Sequence, residues 1–199
     1  MTDALDLVLE RSRALGFLGP GPAEDQRRHA EAFLGALGDT TGRVVDLGSG
    51  GGVPGLVVAV ARPACQLVLL DSIAKRCRFL EWAVDELGLD ATVYEGRAED
   101  AGRSDLRGTA DAVLARSFGP PAVTAECGAP LLRPGGRLIV SEPPGGAADR
   151  WPADHLTALG LRVGALHTGP PAIQVLEQAA PCPVTFPRRS GTPAKRPLF

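Results

Sequence analysis

The stretch from Val44 to Leu56, V-V-D-L-G-S-G-G-G-V-P-G-L, constrains this chain more than any other. Aliphatic residues run into an acid, Asp46, and five glycines then fall between Gly48 and Gly55. Each glycine costs backbone entropy and brings no side chain to pack, so a core strand does not tolerate that density. The stretch therefore reads as a strand over Arg43–Leu47 and a loop whose backbone must come close to something else. A helix over Val53–Ala61 follows, with Pro54 tolerated in its first turn.

Around this loop, short apolar runs alternate with helical patterns. Strands are expected at 66–70, 91–95, 111–116, 137–141, 161–167 and 173–178. Helices are expected at 73–87, 122–132 and about 149–159. Two amphipathic helices, 4–15 and 23–37, precede the first strand, separated by the break Gly19-Pro20-Gly21-Pro22. Alternation of this kind predicts an α/β fold with a mostly parallel, doubly wound sheet. The short link Gly169-Pro170-Pro171 makes the last strand antiparallel. The expected organisation is an N-terminal helical segment over 1–42, one cofactor-binding domain over 43–180 and a basic tail over 181–199.

With 199 residues, 44% of them hydrophobic, the chain has material for one ordinary core. No apolar run approaches the ~18 residues of a membrane span, and the first residues lack a signal-peptide pattern. Cys65, Cys77, Cys127 and Cys182 stand far apart, in neither zinc nor disulfide spacing, so a cytoplasmic setting and no metal are expected. The formal net charge of −2 argues against a strongly basic nucleic-acid binder. Yet Arg188, Arg189, Lys195 and Arg196 fall in a tail without a single acid.

In a doubly wound sheet, ligands bind beyond the carboxyl ends of the strands, where the strand order reverses. Two cofactors suit the glycine loop there. Gly50, Gly52 and Gly55 satisfy the dinucleotide spacing, with Asp71 about 20 residues on as a ribose ligand. Asp46, Gly48, Gly50 and Gly52 equally satisfy an acid-x-Gly-x-Gly-x-Gly pattern suited to S-adenosylmethionine (AdoMet), whose amino group and sulfonium are cationic. Asp71 would hold the ribose hydroxyls in either case. Gly96-Arg97-Ala98-Glu99-Asp100 after the third strand, and Leu131–Leu138 entering the fifth, favour AdoMet and the Rossmann-like fold of class I methyltransferases.

The chain also resembles a known family, RsmG (also called GidB), which methylates N7 of a guanine in small-subunit ribosomal RNA. The matching stretches are D-L-G-S-G-G-G-V-P-G (46–55), L-L-D-S-I-A-K-R-C-R-F-L (69–80), G-R-A-E-D (96–100) and A-R-S-F (115–118). L-L-R-P-G-G-R-L (131–138) and the tail F-P-R-R-S-G-T-P-A-K-R-P-L (186–198) complete the set. The resemblance implies an AdoMet-dependent enzyme, expected as a monomer, whose partner is 16S rRNA or the 30S subunit. It implies that Gly48 and Val53 line the methionine and sulfonium side, Asp71 takes the ribose, and Ala98 and Glu99 frame the adenine. Arg116 would sit beside the cofactor and face the substrate, as the candidate catalytic residue. Arg188, Arg189, Lys195 and Arg196 would bind RNA phosphate.

The chain departs from the family at its N-terminal segment, where only Arg28-His29 echoes an R-H-I-L-D-S stretch. It departs again at Val140–Gly145, which replaces A-x-K-G, and at Val175–Gln178, where the family has a lysine. Glu142 and Glu177 thus stand where bases would aid RNA binding. A paralogue acting on another RNA or a small molecule, and a non-catalytic AdoMet-binding module, therefore stay open. His29 reads as an exposed helix histidine, with a place on the substrate side as the alternative, and Lys75, Arg76 and Arg78 as a solvated helix face, with an RNA-facing patch as the alternative. His155 and His167 read as structural, and Phe79, Trp82 and Trp151 as core.

Overall fold

The computed structural model describes residues 3–143 and 149–199. Among the described residues, seven strands form one sheet: β1 (Arg43–Leu47), β2 (Gln66–Asp71), β3 (Ala91–Glu95), β4 (Ala110–Ala115), β5 (Leu132–Ser141), β6 (Leu161–His167) and β7 (Ile173–Gln178). Their order is β3-β2-β1-β4-β5-β7-β6. β7 alone runs antiparallel to its two neighbours, β5 and β6. The order reverses between β1 and β4, which pair in parallel from Val44 opposite Ala112 to Asp46 opposite Leu114. A parallel sheet covered on both faces needs strands that are apolar throughout. Apart from Asp46 in β1 and Asp111 in β4, the interiors of β1, β2 and β4 meet that need with Val, Leu and Ala.

One face carries α1 (Ala4–Ala14), α2 (Ala23–Leu37), α3 (Gly55–Ala61) and α4 (Ala74–Leu87), packed through Leu9, Phe33, Leu56 and Leu80. The other carries α5 (Ala98–Ala101), α6 (Pro121–Gly128) and α7 (Ala153–Ala158), packed through Ala101, Ala125 and Leu156. Asp3 caps α1 by accepting from the N–H groups of Leu5 and Asp6, satisfying donors that a helix start leaves free. Arg27 joins α2 to α1 through Asp3 and Asp6, each at 2.8 Å. Arg137, which the sequence pattern marks only as the start of a strand after a glycine turn, donates to the carbonyls of Ala36 and Leu37 and so closes the C-terminus of α2.

Several elements differ in extent from the pattern reading. α3 begins at Gly55, because residues 51–54 form the loop's own turns. β5 begins at Leu132, five residues early, since Pro134-Gly135-Gly136 continues the strand through an irregular pairing with β4. α6 stops at Gly128, and Ala129–Leu131 tightens into a 3₁₀ turn. The tail is ordered: α8 (Thr192–Lys195) lies against α6. Among the described residues, no helix is long and apolar enough to cross a membrane.

Candidate active site

Two cavities open at the carboxyl ends of the central strands. The first, about 280 Å³, lies beyond β1, β2 and β3, lined among others by Gly48, Asp71, Gly96, Ala98 and Glu99. The second, about 370 Å³, lies beyond β4 and β5, with His29, Pro121, Glu142 and Trp151 in its lining. Ser117 and Phe118 line both. Ser117 holds a left-handed backbone conformation, φ +53°, uncommon for a side-chain-bearing residue. Such strain of about 1–3 kcal/mol persists where surrounding structure demands it, and it clusters at functional sites. Here the turn carries the chain from β4 to the wall between the two cavities.

Asp71, at the end of β2, is 4% exposed and lines the first cavity. Its Oδ2 accepts from the N–H of Gly50 at 2.8 Å, and its Oδ1 from the N–H of Ile73 at 2.9 Å. Two backbone donors thus orient a carboxylate whose remaining lone pairs suit vicinal hydroxyls. Arg76, expected to point into solvent, lines the same cavity, with Nη1 3.7 Å from Asp71 Oδ2. Glu99 is 3% exposed. Burial opposes its ionisation, but the N–H of Gly191, its own N–H and Arg97 outweigh that and hold its carboxyl below the ordinary range. Ala98, Leu70, Val123, Cys127 and Phe118 supply apolar walls. A carboxylate for a diol beside apolar walls for a flat base fits an adenosine moiety.

The glycines of the loop serve internal contact more than the sequence suggests. A Cβ on Gly48 would meet the Phe118 ring at 2.7 Å, and one on Gly51 would meet Ser12 and Leu18 at 2.6 Å. One on Gly52 would strike Leu56, and one on Gly55 would strike Leu69 and Asp46. Of the loop glycines only Gly50 has room, with nothing nearer than 3.7 Å. Helix α1, the core and the loop thus compete for the same backbone, and the density of glycine follows. Val53 is 5% exposed and packs among the α1–α4 side chains.

Asp46 lies behind the loop rather than in the lining of either cavity. It is 1% exposed and accepts from the N–H of Gly55, the first residue of α3. Burial pushes its carboxyl up to about 7, against opposing hydrogen bonds from Ser49 and Gly55 and the charge of Arg116. Arg116, just past β4, forms no hydrogen bond or ion pair with any described residue. Burial lowers its pKa, with the nearby Asp46 charge opposing. His29 is half-buried on α2 and lines the second cavity, where burial and then Arg116 suppress its protonation. Its Nε2 has no hydrogen-bond partner among the described residues. The sequence reading of His29 as an exposed side chain is therefore corrected: the turn after β4 brings Arg116 close to α2.

The two glutamates that replace family bases differ in their surroundings. Glu142 is buried at the second cavity, accepting from Trp151 Nε1 at 2.6 Å and lying 2.8 Å from Arg150 Nε. Pro144 and Gly145 of the same stretch lie outside the described residues. Glu177 pairs with Arg162 and stands opposite Arg137, where the pairing of β5 with β7 begins. The reversed direction of β7 thus places Glu177 toward the amino ends of the parallel strands, away from the cavities. In the tail, Arg189, Lys195 and Arg196 are exposed, whereas Arg188 bonds Glu126 of α6.

Comparison with known proteins follows the same line. The family model GidB, described as rRNA small subunit methyltransferase G, matches residues 33–142. The Ribosomal RNA small subunit methyltransferase G of Mycolicibacterium gilvum is 35% identical over 185 residues, covering 87% of this chain and 81% of that one. Its counterpart in Syntrophomonas wolfei is 38% identical over 164 residues, covering 78% and 77%. Among solved structures, cofactor-bound Rv0187 from MTB superposes with a TM-score of 0.62 at 17% identity, covering 90% and 91%. A T. Thermophilus 16S rRNA methyltransferase (RsmC) in complex with AdoMet and guanosine gives 0.56 at 17%, covering 78% and 40%. At such identities these two structures speak for the fold alone.

Proposed function

The chain belongs to the GidB family of rRNA small subunit methyltransferase G proteins, and from that premise we propose that it transfers a methyl group from AdoMet to N7 of a guanine in 16S rRNA. AdoMet supplies an electrophilic methyl on a sulfonium. Everything else falls to the chain's own residues. The observation that carries the reading is the pair of cavities meeting at Ser117 and Phe118, beyond the switch point between β1 and β4. One cavity takes the donor, the other the base, and the methyl crosses between them.

Guanine N7 has a free lone pair and needs no general base. The site agrees with that requirement: Asp71, Asp46 and Glu99 accept from backbone N–H groups, and Glu142 is engaged by Trp151 and Arg150, rather than being aimed at a substrate proton. Alignment and exclusion of water are the tasks left, and alignment alone is worth several kcal/mol, up to about 7–11. Asp71 orients the ribose, while Ala98 and Glu99 bound the adenine. Arg116 lacks a partner among the described residues and donates to guanine O6, on the major-groove edge that carries N7. Its partly buried charge is available for that contact at little reorganisation. Positive charge passes to the purine as the methyl moves, so a neutral His29 beside Arg116 avoids a second cation at the base. Arg189, Lys195 and Arg196 hold RNA phosphate.

Calorimetry with AdoMet, S-adenosylhomocysteine and NAD tests the donor cavity, and labelled methyl transfer to 30S subunits, bare 16S rRNA and a metabolite extract tests the acceptor. Binding of AdoMet with label in rRNA is the expected result. Tight NAD binding without AdoMet binding, or label only among small metabolites, would overturn the reading.

A further inference from the structure

Two buried carboxylates, Glu126 and the cavity-lining Glu99, hold the C-terminal segment in place. Glu126, on α6, has no solvent exposure. Arg188 gives it three hydrogen bonds: from the backbone N–H at 2.9 Å, from Nε at 2.8 Å and from Nη2 at 2.6 Å. The same Nη2 donates to the carbonyl of Arg196 at 2.7 Å, folding the segment back on itself. Glu99 accepts from the N–H of Gly191 at 2.7 Å, and Ser190 Oγ donates to Asp100 at 2.7 Å. Farther back, Arg103 donates to the carbonyl of Pro187, and Arg107 to those of Cys182 and Phe186.

A carboxylate removed from water stays ionised only when a paired, hydrogen-bonded cation replaces its hydration. Arginine's planar fork does this best. The segment contributes no acid of its own, so the body's acids hold it. The consequence reaches the first cavity: Ala194 of α8 lines it, as does Glu99, whose Oε1 is fixed by Gly191. The wall of that cavity beside Glu99 is therefore built partly from the tail.

We propose that Glu126 is a positioning residue for the cofactor: through Arg188 it docks the segment 187–196 so that Ala194 and the Gly191-bound Glu99 complete the adenosine side of the cavity. This rests on the reading of that cavity as the AdoMet site. It assigns Arg188 to the interior of the protein and leaves phosphate contact to Arg189, Lys195 and Arg196.

The test compares the full-length chain with Glu126→Gln and with Glu126→Gln/Arg188→Gln, which removes both charges together and strands neither. Calorimetry gives the Kd for S-adenosylhomocysteine, methyl transfer gives KM for AdoMet and kcat, and thermal melting checks folding. The expected result is a rise in Kd and KM of about tenfold, equivalent to about 1.4 kcal/mol, with kcat at saturating AdoMet within about twofold of wild type. Should the double variant fail to fold, Arg188→Lys, which keeps the charge and loses the fork, is expected to raise KM in the same sense. Folded variants with unchanged Kd and KM, or with kcat reduced at unchanged KM, would overturn the proposal while wild-type binding upholds the cofactor reading. No S-adenosylhomocysteine binding by the wild type would remove the cofactor reading itself, and the proposal with it.

Discussion

The Asp71 carboxylate accepts a hydrogen bond from the N–H of Gly50 at 2.8 Å, joining the end of β2 to the loop after β1 across 21 residues of sequence. One acid therefore has two tasks, shaping the loop and facing the cavity. Asp71→Ala removes both and is expected to weaken AdoMet binding by about tenfold or more, the worth of one or two charge-assisted hydrogen bonds. Asp71→Asn keeps an acceptor for Gly50 and should lose less. Calorimetry on the two variants measures the difference, and equal losses would confine the role of Asp71 to its charge.

Arg116 forms no hydrogen bond or ion pair with a described residue that its removal would break. Arg116→Ala is expected to lower kcat on the order of a hundredfold while leaving AdoMet affinity within about twofold, as for a donor used in the transition state. Steady-state kinetics with calorimetry separates the two quantities. Equal loss in both would place Arg116 on the cofactor side only.

Gly52 and Gly50 separate the two uses of glycine in this loop. Gly52, at φ +92°, has Leu56 where a Cβ would lie, whereas Gly50, at φ +55°, would make only ordinary contacts, the nearest at 3.7 Å. Gly52→Ala is expected to cost about 2–4 kcal/mol of stability, and Gly50→Ala about 1 kcal/mol. Urea unfolding of each variant checks the order, and a reversed order would contradict the packing role.

Asp46 makes stability depend on pH. Its carboxyl is pushed from 3.8 up to about 7 by burial. Between those values the folded chain keeps a proton that the unfolded chain has released, so stability falls as pH rises from about 4 to about 7 and then levels. Asp46→Asn keeps an acceptor for Gly55 and should remove this contribution. Urea midpoints are expected to fall more in wild type than in the variant between about pH 5 and about pH 8. Identical falls would show that Asp46 does not titrate in that window.

Much of the architecture was legible because it rests on local patterns. β1, β3, β6 and β7, and helix α2, have the residue ranges that hydrophobic periodicity indicates. Asp71, at the end of β2, and Glu99, in the turn of helix after β3, line one cavity. What periodicity does not carry is contact between distant segments. Arg188 reads as a surface base until α6 presents Glu126 to it, and His29 reads as exposed until the second cavity forms beside it, within reach of the charge of Arg116. α5 and α8, four residues each, are too short for a period to register. Only the spacing of glycines was visible for the loop, not that Phe118, Ser12 and Leu56 fill the space they leave.

The exposed bases of the tail carry a prediction about salt. Replacing Arg189, Lys195 and Arg196 together by alanine should weaken binding of 16S rRNA and flatten its dependence on salt. The slope of log K against log salt is expected to fall by about 2, at roughly 0.7–0.9 for each phosphate that the variant no longer neutralises. Filter binding at several salt concentrations measures it, and an unchanged slope would move the RNA-binding surface elsewhere.

The central claim, that a guanine base enters the cavity beside Ser117 and Phe118 and receives the methyl on N7, is tested most directly by nucleoside analysis of 16S rRNA. The rRNA is drawn from 30S subunits of a strain lacking the protein and incubated with the purified chain and labelled AdoMet. The account predicts label in 7-methylguanosine, formed on the order of a hundredfold more slowly with Arg116→Ala. Label on another atom or another base, or none in 16S rRNA from a chain that binds AdoMet, would contradict it.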